Sequence, residues 1–533
     1  FRNEDNGFTV LTLSSGKEDI TCTGNFGYIG QGEYVEIEGE EVFHEIYGKQ
    51  IKATNYKIVP ATDELSLKKY LGSGAIKGLG AVLADRIVDK FGEDTFRIIE
   101  EEPERLAEIR GITTRKAMDI STQLEEKKDM RDVMIFLQGY GISPTLSTKI
   151  FNNYGTRVYD IIKTNPYQLA DDVTGIGFKT ADEIARRAGV EVNASVRIKS
   201  GMCYALTEAS LSGHTYLPKE KMVETTINLL GLRDQYLNAD GTYNMELLDN
   251  CFTELVLEKK LILKEIDDNQ AVFLSTFYYT ELNIARMLLE LNISTPEDDY
   301  ILGVKMDTVE DMSGIHLDDL QRQAVVATQN NGVSIITGGP GTGKTTTINA
   351  IIQLFESDGL EVSLAAPTGR AAKRMTEATG HEAKTIHRML EISGGQSDDP
   401  ELDAKFGRNE QNPLETDVVI VDEMSMVDTF LMHAFLKEKW EKRCLKVCGT
   451  RLVFVGDVNQ LASVGPGNVL KDIIESECFK VVRLTKVFRQ AGESGIVTNA
   501  HKINEGKEVK LDNSFGDFLY IERENAQMAL NAT

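Results

Sequence analysis

Eight residues, Gly338-Gly-Pro-Gly-Thr-Gly-Lys344-Thr345, constrain this 533-residue chain more than any other stretch. Before them, Val333 to Thr337 is a short apolar run that reads as a buried strand. After them, Thr345 to Phe355 places Ile348, Ile351, Ile352 and Leu354 at helical spacing. A strand that ends in a glycine-rich turn and enters a helix matches G-x-x-x-x-G-K-[ST] and belongs in a parallel α/β sheet. The glycines let backbone N–H groups turn inward around phosphate oxygens, and the helix N-terminus adds partial positive charge. Gly338, Gly339, Pro340, Gly341, Thr342, Gly343, Lys344, Thr345 and Thr346 are therefore the expected nucleotide contacts. Lys344 is placed to reach the β and γ phosphates, and Thr345 offers a hydroxyl to Mg²⁺, so ATP and Mg²⁺ are the expected cofactors.

Further elements follow in an order that fits such a sheet. Val418-Val-Ile-Val-Asp422-Glu423 is an apolar strand ending in two carboxylates. Buried on both faces, it would set Asp422 beside the Mg²⁺ shell and Glu423 where it can polarise an attacking water. Arg451-Leu-Val-Phe-Val-Gly-Asp-Val-Asn-Gln460 is a second buried strand with a polar tip, where Gln460 is expected to contact the γ phosphate. Arg489, after a further strand, is a candidate for stabilising γ-phosphate charge. Upstream, the amide of Gln321 could read adenine through paired donor and acceptor. Two more loops leave the sheet on the same edge. Their Pro367, Thr368, Arg370, Thr385 and His387 do not fit nucleotide roles and are expected to meet the phosphates of a single strand of nucleic acid.

The front of the chain is organised differently. Residues 1–65 alternate in short segments separated by turn glycines and read as a small β-barrel, OB-like in spacing. Residues 66–190 contain a repeat. Gly78-Leu-Gly80, a helix and Gly92 recur as Gly139-Tyr-Gly141, a helix and Gly155, with offsets of 61 and 63 residues. A second hairpin follows in each unit, at Gly111 and at Gly175-Ile-Gly177. The repeat resembles tandem helix-hairpin-helix motifs, and that resemblance implies that the tight Gly-apolar-Gly turns expose backbone N–H groups at a helix N-terminus to hold a DNA phosphate without reading sequence. Gly78, Gly80, Gly139, Gly141, Gly175 and Gly177 are the expected contacts. The Gly111 hairpin has Thr113 in place of the second glycine and is not expected to bind. Residues 191–300 read as a winged-helix-like α domain.

A net charge of −25 is unusual for a nucleic-acid protein, but its distribution matters more than its sum. Residues 61–190 hold 19 Lys and Arg against 21 Asp and Glu, nearly neutral within an acidic chain. No apolar run approaches the roughly 20 residues of a membrane span. Of six cysteines only Cys444 and Cys448 lie close, with no second pair or nearby His to complete a zinc site, so they read as thiols of a reducing, cytoplasmic compartment.

The motor motifs together resemble superfamily 1 helicases, and in particular the RecD/TraA family: Gly338–Thr345, Leu364–Arg374, Thr385–His387, Val421–Met426, Gly456–Gly467 and Phe488–Gln490. The front region, with Asn3-Glu-Asp-Asn-Gly-Phe-Thr-Val10, the tandem hairpins and Asn165-Pro-Tyr-Gln-Leu169, is similar to the long RecD-like form. Ala462 stands where the family usually has proline, which bears on loop stiffness more than chemistry. The resemblance implies an ATP-driven DNA helicase moving 5′ to 3′ on single-stranded DNA and acting at single/double-strand junctions, in repair or recombination. The alternative is a DNA-stimulated ATPase or remodeller that does not unwind. The implied architecture is multidomain, with an α/β RecA-like P-loop motor domain at 301–490 preceded by the OB-like barrel, tandem helix-hairpin-helix and winged-helix-like regions. A strand-separating pin is expected near 392–414. Residues 491–533 are expected to begin a second RecA-like domain that lacks on the order of 100 residues. That leads to an expectation of weak ATP binding and poor unwinding by this chain. No protein partner is indicated.

Overall fold

The computed structural model describes residues 8–14, 19–26, 29, 34–44, 48–59, 67–68, 71–72, 76–233, 245–390, 416–440, 450–488, 494–509, 511, 513 and 516–522. The expected pin near 392–414, Arg489, Cys444 and Cys448 lie outside the described residues. The chain divides into two compact units, Phe1–Ser200 and Gly201–Thr533.

The first unit opens with four strands, β1 (Phe8–Ser14), β2 (Asp19–Asn25), β3 (Tyr34–His44) and β4 (Gly48–Val59). Their order is β1-β2-β4-β3, with β2 parallel to β4 and the other pairs antiparallel. Register shifts at Glu38/Gly39, where a Cβ on Gly39 would collide with the Lys52 carbonyl oxygen, so only glycine fits this bulge. Cys22 and Phe26 are buried, and Phe26 meets Tyr56 edge-to-face at 5.4 Å.

Four hairpins and their helices make the rest of this unit. The helices are α1 (Ala81–Phe91), α2 (Thr114–Gly139), α3 (Pro144–Tyr154) and α4 (Phe178–Arg187). Each hairpin has one glycine with positive φ, followed by a buried apolar residue: Gly78 and Leu79, Gly111 and Ile112, Gly141 and Ile142, Gly175 and Ile176. Three are tight turns closed by Leu79 N–H to Ile76 O, Ile112 N–H to Ile109 O and Ile176 N–H to Val173 O, at 3.0–3.1 Å. The other ends α2, with Ile142 N–H donating to Leu137 O and Gly141 N–H to Gln138 O, a Schellman closure around a left-handed glycine.

This corrects the expected register of the repeat. Gly139 is the last residue of α2, not the first glycine of a hairpin. The equivalent of Gly78 is Gly141, with φ of +79° against +83°. In this register the offset from Gly78 to Gly141 is 63 residues, the same as from Gly92 to Gly155, which both close helices with positive φ. The sequence shows Gly-x-Gly at the head of both repeat units, but only backbone conformation tells which glycine makes the turn.

In the second unit, β5 (Tyr216–Pro218), β6 (Leu261–Ile266) and β7 (Asn269–Leu274) form an antiparallel sheet in the order β5-β7-β6. Asp267 and Asp268, both at positive φ, make its two-residue turn. Helices α5 (Lys219–Leu230), α6 (Glu246–Leu257) and α7 (Ser275–Leu291) lie around it in sequence.

The larger sheet is parallel throughout: β8 (Val333–Gly338), β9 (Val362–Ala366), β10 (Ala383–Thr385), β11 (Val418–Val421), β12 (Arg451–Gly456) and β13 (Lys480–Leu484), ordered β10-β9-β11-β12-β8-β13. Alternating residues supply two cores. Val333, Ile335, Val419 and Val421 join one with Leu288 of α7 and Phe435, while Ile336, Val418 and Ile420 join the other with Ile351 and Phe355. Both faces are covered, so these strands carry continuous Val/Ile runs, each fully buried side chain worth about 1.5–3 kcal/mol. The carboxyl ends of β8, β9, β11 and β12 then deliver their loops to one edge, where α/β sheets place ligands.

Candidate functional site

The glycine loop runs from β8 into α8 (Lys344–Ser357). Gly341 and Gly343 hold φ of +77° and +82°, which a side chain would strain. The Thr342 hydroxyl donates to Gly339 O at 2.8 Å, and the Thr347 hydroxyl to Gly343 O at 3.0 Å. The Lys344 ammonium donates to Gly338 O at 2.6 Å and Gly339 O at 3.1 Å, folded back on its own loop. Thr345 is exposed at the helix start and Thr346 half-buried.

Asp422 and Glu423 follow β11. The Asp422 N–H donates to Ala365 O of the adjacent strand, and its Oδ1 accepts from the Glu423 N–H at 2.8 Å. Glu423 sits in the left-handed region, φ 54° and ψ 41°, a conformation costly for a residue with a Cβ. Its Oε2 is buried without a hydrogen-bond partner. Burial pushes both carboxyl pKa values up, while Lys344 and Arg374 pull them down; Asp422 and Asp457 raise that of Glu423 further. A buried, orphaned carboxylate oxygen beside a second carboxylate, next to a lysine and an exposed threonine hydroxyl, is a donor set that fits a hydrated divalent cation bound to phosphate.

At the tip of β12, Asp457 is 2% exposed and its Oδ1 accepts from Asn459 N–H. The Gln460 N–H closes the turn on Asp457 O, and its side chain is exposed. Gln321 is placed differently from the adenine reading. It is 1% exposed and lies on α9 (Asp319–Asn330). Its Oε1 accepts from Asp318 N–H in a capping box, and its Nε2 donates to Gly343 O at 3.3 Å. The amide therefore braces the loop from its protein side. Sequence pattern cannot distinguish this from ligand contact, because a capping box and a base-reading glutamine look alike in one dimension.

The other polar loops meet at the β9/β10 edge, where Thr385 pairs with Ala366. Thr368 caps α10 (Gly369–Thr379) by accepting from Ala371 N–H, and Thr385 caps the next turn by accepting from Arg388 N–H. Pro367 is half-buried, while Arg370 and His387 are exposed. Arg374, also exposed on α10, was missed as a site residue; its charge acts on Asp422 and Glu423.

In the first unit the four hairpins separate into two kinds. Gly80 and Gly177 begin α1 and α4 with extended backbone and no side-chain cap. Thr113 and Ser143 occupy the same position for α2 and α3, and their hydroxyls accept from Lys116 and Leu146 N–H. Arginines close the latter pair further. Arg86 donates to Arg110 O, and Arg187 donates to Tyr140 O, its guanidinium filling the space a Cβ on Gly141 would need. Gly80 and Gly177 are exposed, with nothing within 4 Å of a Cβ position. Lys77, Gly78 and Lys116 line a groove of about 500 Å³ beside the first hairpin. Tyr167 stacks on Phe178 at the start of α4 and donates to Asp182, which Arg197 also grips at 2.8 and 3.0 Å. Within the Asn165–Leu169 segment quoted above, Tyr167 thus fixes the last hairpin.

Three family models match these regions in order. An "ATP-dependent DNA helicase YrrC, OB-fold domain" matches residues 1–60, an "ATP-dependent RecD2 DNA helicase HHH domain" matches 126–216, and an "AAA domain" matches 316–515. The ATP-dependent RecD2 DNA helicase of Deinococcus radiodurans is 28% identical over 515 residues, 94% of this chain and 68% of that protein. Over nearly its full length, the chain is similar to the RecD2-type helicases. It carries an OB-fold domain, a helix-hairpin-helix domain and the P-loop motor of an ATP-dependent superfamily 1 DNA helicase. The RecBCD enzyme subunit RecD of Mycolicibacterium smegmatis is 36% identical over 197 residues, a third of each chain. Among solved structures, the Pif1 helicase of Candida albicans is 27% identical, covering 37% of this chain and 46% of that one, with a TM-score of 0.29. No helix among the described residues is long and apolar enough to cross a membrane.

Proposed function

We propose that this RecD2-type chain couples ATP hydrolysis to 5′–3′ movement along single-stranded DNA and to strand separation at single/double-strand junctions, in DNA repair or recombination. The observation that carries the hydrolytic part is Glu423. A carboxylate held at strained backbone geometry, with one buried oxygen left unpartnered and its pKa pushed up, is poised to take the proton of an attacking water. Lys344 would exchange its two carbonyl partners for β and γ phosphate oxygens. Thr345 and Asp422 would hold Mg²⁺, which when bound neutralises charge on the phosphates. Gln460, exposed at the tip of β12, could report the γ phosphate, and Arg489 could add positive charge there.

On the DNA side, the open hairpins at Gly80 and Gly177 would each hold a backbone phosphate, with Lys77 and Lys116 beside the first. Pro367, Thr368, Arg370, Thr385 and His387 would follow the single strand across the motor. Gly139, inside a helix, takes no part.

The test is ATP hydrolysis with and without single-stranded DNA, alongside displacement of a strand from 5′-tailed and 3′-tailed duplexes. DNA-stimulated hydrolysis lost in Lys344→Ala, with displacement only from the 5′-tailed duplex, supports the reading. Stimulation without displacement of either strand favours a remodelling ATPase instead. Displacement from the 3′-tailed duplex alone overturns the polarity.

A further inference from the structure

We propose that His501 is a positioning residue of the nucleotide loop: from α11 (Gly495–Asn504) it holds the Pro340 carbonyl and thereby aims the Gly341 N–H into the phosphate site. The proposal rests on the glycine loop being that site. The His501 Nε2–H donates to Pro340 O at 3.2 Å, and a Cβ on Gly339 would lie 2.5 Å from His501 Cε1. The imidazole is therefore pressed against the loop from outside. A carbonyl can only accept, so Nε2 carries the proton in this contact.

The physical consequence follows from the peptide unit. A trans peptide is planar, so the C=O of one residue and the N–H of the next point in opposite directions. Holding the Pro340 carbonyl outward turns the Gly341 N–H inward. Two further units are held in the same manner. The Phe488 N–H donates to Gly341 O at 3.2 Å, which orients the Thr342 N–H, and the Gln321 amide donates to Gly343 O, which orients the Lys344 N–H. Phe488 also lays its ring within 2.9 Å of a Cβ position on Gly343. Three donors outside the loop thus set three N–H groups that would face phosphate. Two of the three, from Phe488 and His501, lie about 150 and 160 residues downstream of the carbonyls they hold.

Glycine makes this bracing necessary. Gly341 and Gly343 give the loop its left-handed turns, and the same freedom lets unbraced peptide units flip. A preorganised nest of N–H groups binds anions without reorganising at the moment of binding. Asn499, on the same helix as His501, is 2% exposed, and neither amide atom has a hydrogen-bond partner among the described residues. A helix that tolerates an unsatisfied buried amide is not seated there by its own polar bonding alone, which fits a segment placed for what it does to the loop.

The experiment uses the full chain with His501→Ala, His501→Gln and Lys344→Ala. Binding of a fluorescent N-methylanthraniloyl ATP with Mg²⁺ is measured first, then KM and kcat for ATP at saturating single-stranded DNA, with melting temperature as a control. His501→Ala should weaken nucleotide binding and raise KM about five- to tenfold, the worth of one hydrogen bond, with kcat changed by less than about twofold. His501→Gln, which keeps an N–H donor, should recover nucleotide binding to within about twofold. The proposal is overturned if His501→Ala binds nucleotide as the parent chain does, or if both His501 variants are impaired equally. If Lys344→Ala also binds as the parent does, the loop is not the nucleotide site and both readings fail together. If only Lys344→Ala is impaired, His501 alone is dismissed.

Discussion

The nucleotide loop and the hairpin repeat both present backbone N–H groups at helix N-termini, yet they are built on opposite plans. Around the loop, the work falls on single side chains in strained or desolvated places: Glu423 at positive φ, Lys344 folded onto carbonyls, Asp422 buried. In the hairpins the proposed contact would be made by geometry alone and is repeated. Charge is nearly balanced there, and the turn positions carry glycine, threonine or serine. Chemistry at one phosphorus atom requires particular groups, whereas holding a uniform phosphate backbone requires only repeated, exposed N–H groups. Loss of one residue should therefore be severe in the first region and graded in the second.

The largest expected effect is Glu423→Gln. It should lower DNA-stimulated ATP hydrolysis by at least about 100-fold while leaving nucleotide and DNA binding within about twofold, measured by steady-state turnover and equilibrium titration. Retained turnover would show that the strained carboxylate is not the base and would collapse the contrast.

Next is Glu310, which accepts from Arg322 and from Leu317 N–H ahead of the helix that bears Gln321. The Arg322 guanidinium foremost, against the cost of burial, holds its carboxyl down to about 2 from an ordinary 4.5. A depressed carboxyl pKa contributes stability that is fully present above the ordinary value and is lost as pH falls through the folded value. Glu310→Gln should cost about 2 kcal/mol near neutral pH, what hydrogen bonds to a charged group are worth. The gap between the two proteins in urea melts should stay constant above about pH 5 and close as pH falls toward 2. A gap that widens on acidification would contradict this.

The hairpin contrast is sharpened by converting one kind into the other. Gly80→Thr and Gly177→Ser copy the capped hairpins at Thr113 and Ser143. Each should weaken DNA binding about three- to tenfold and flatten the logarithmic salt dependence by about one, with melting unchanged or slightly raised. Equal effects from the reverse changes, Thr113→Gly and Ser143→Gly, would erase the distinction between open and closed hairpins.

The smallest effect is assigned to Gly139→Ala. At the end of α2, with nothing within 4 Å of a Cβ, alanine should leave DNA affinity unchanged and stabilise by a few tenths of a kcal/mol at most. A clear loss of affinity would restore Gly139 as a contact.

Much of the motor was legible in one dimension because its strands are buried on both faces. A run such as Val418-Val-Ile-Val421 can hardly be anything but the middle of a covered parallel sheet, and the carboxylates after it mark the strand's carboxyl end. The hairpins were legible as a repeat but not in register, since Gly139 and Gly141 are indistinguishable until φ is known. Gln321 was read as a ligand contact because its amide suits a ligand; in the fold, capping and bracing bonds occupy it. Arg374 and His501 carry no pattern of their own, and only their neighbours in space mark them.

Sequence by itself determined which peptide groups can be exposed and which strands must be buried, because glycine spacing and apolar periodicity act locally, through steric freedom and removal of area from water. Tertiary structure alone decided which exposed groups stay open and which are occupied. Arg187 on Tyr140, Gln321 on Gly343 and His501 on Pro340 are hydrogen bonds between groups 22 to 161 residues apart in sequence. A donor's partner is set by distance and direction in space, and neither is written in the order of residues along the chain.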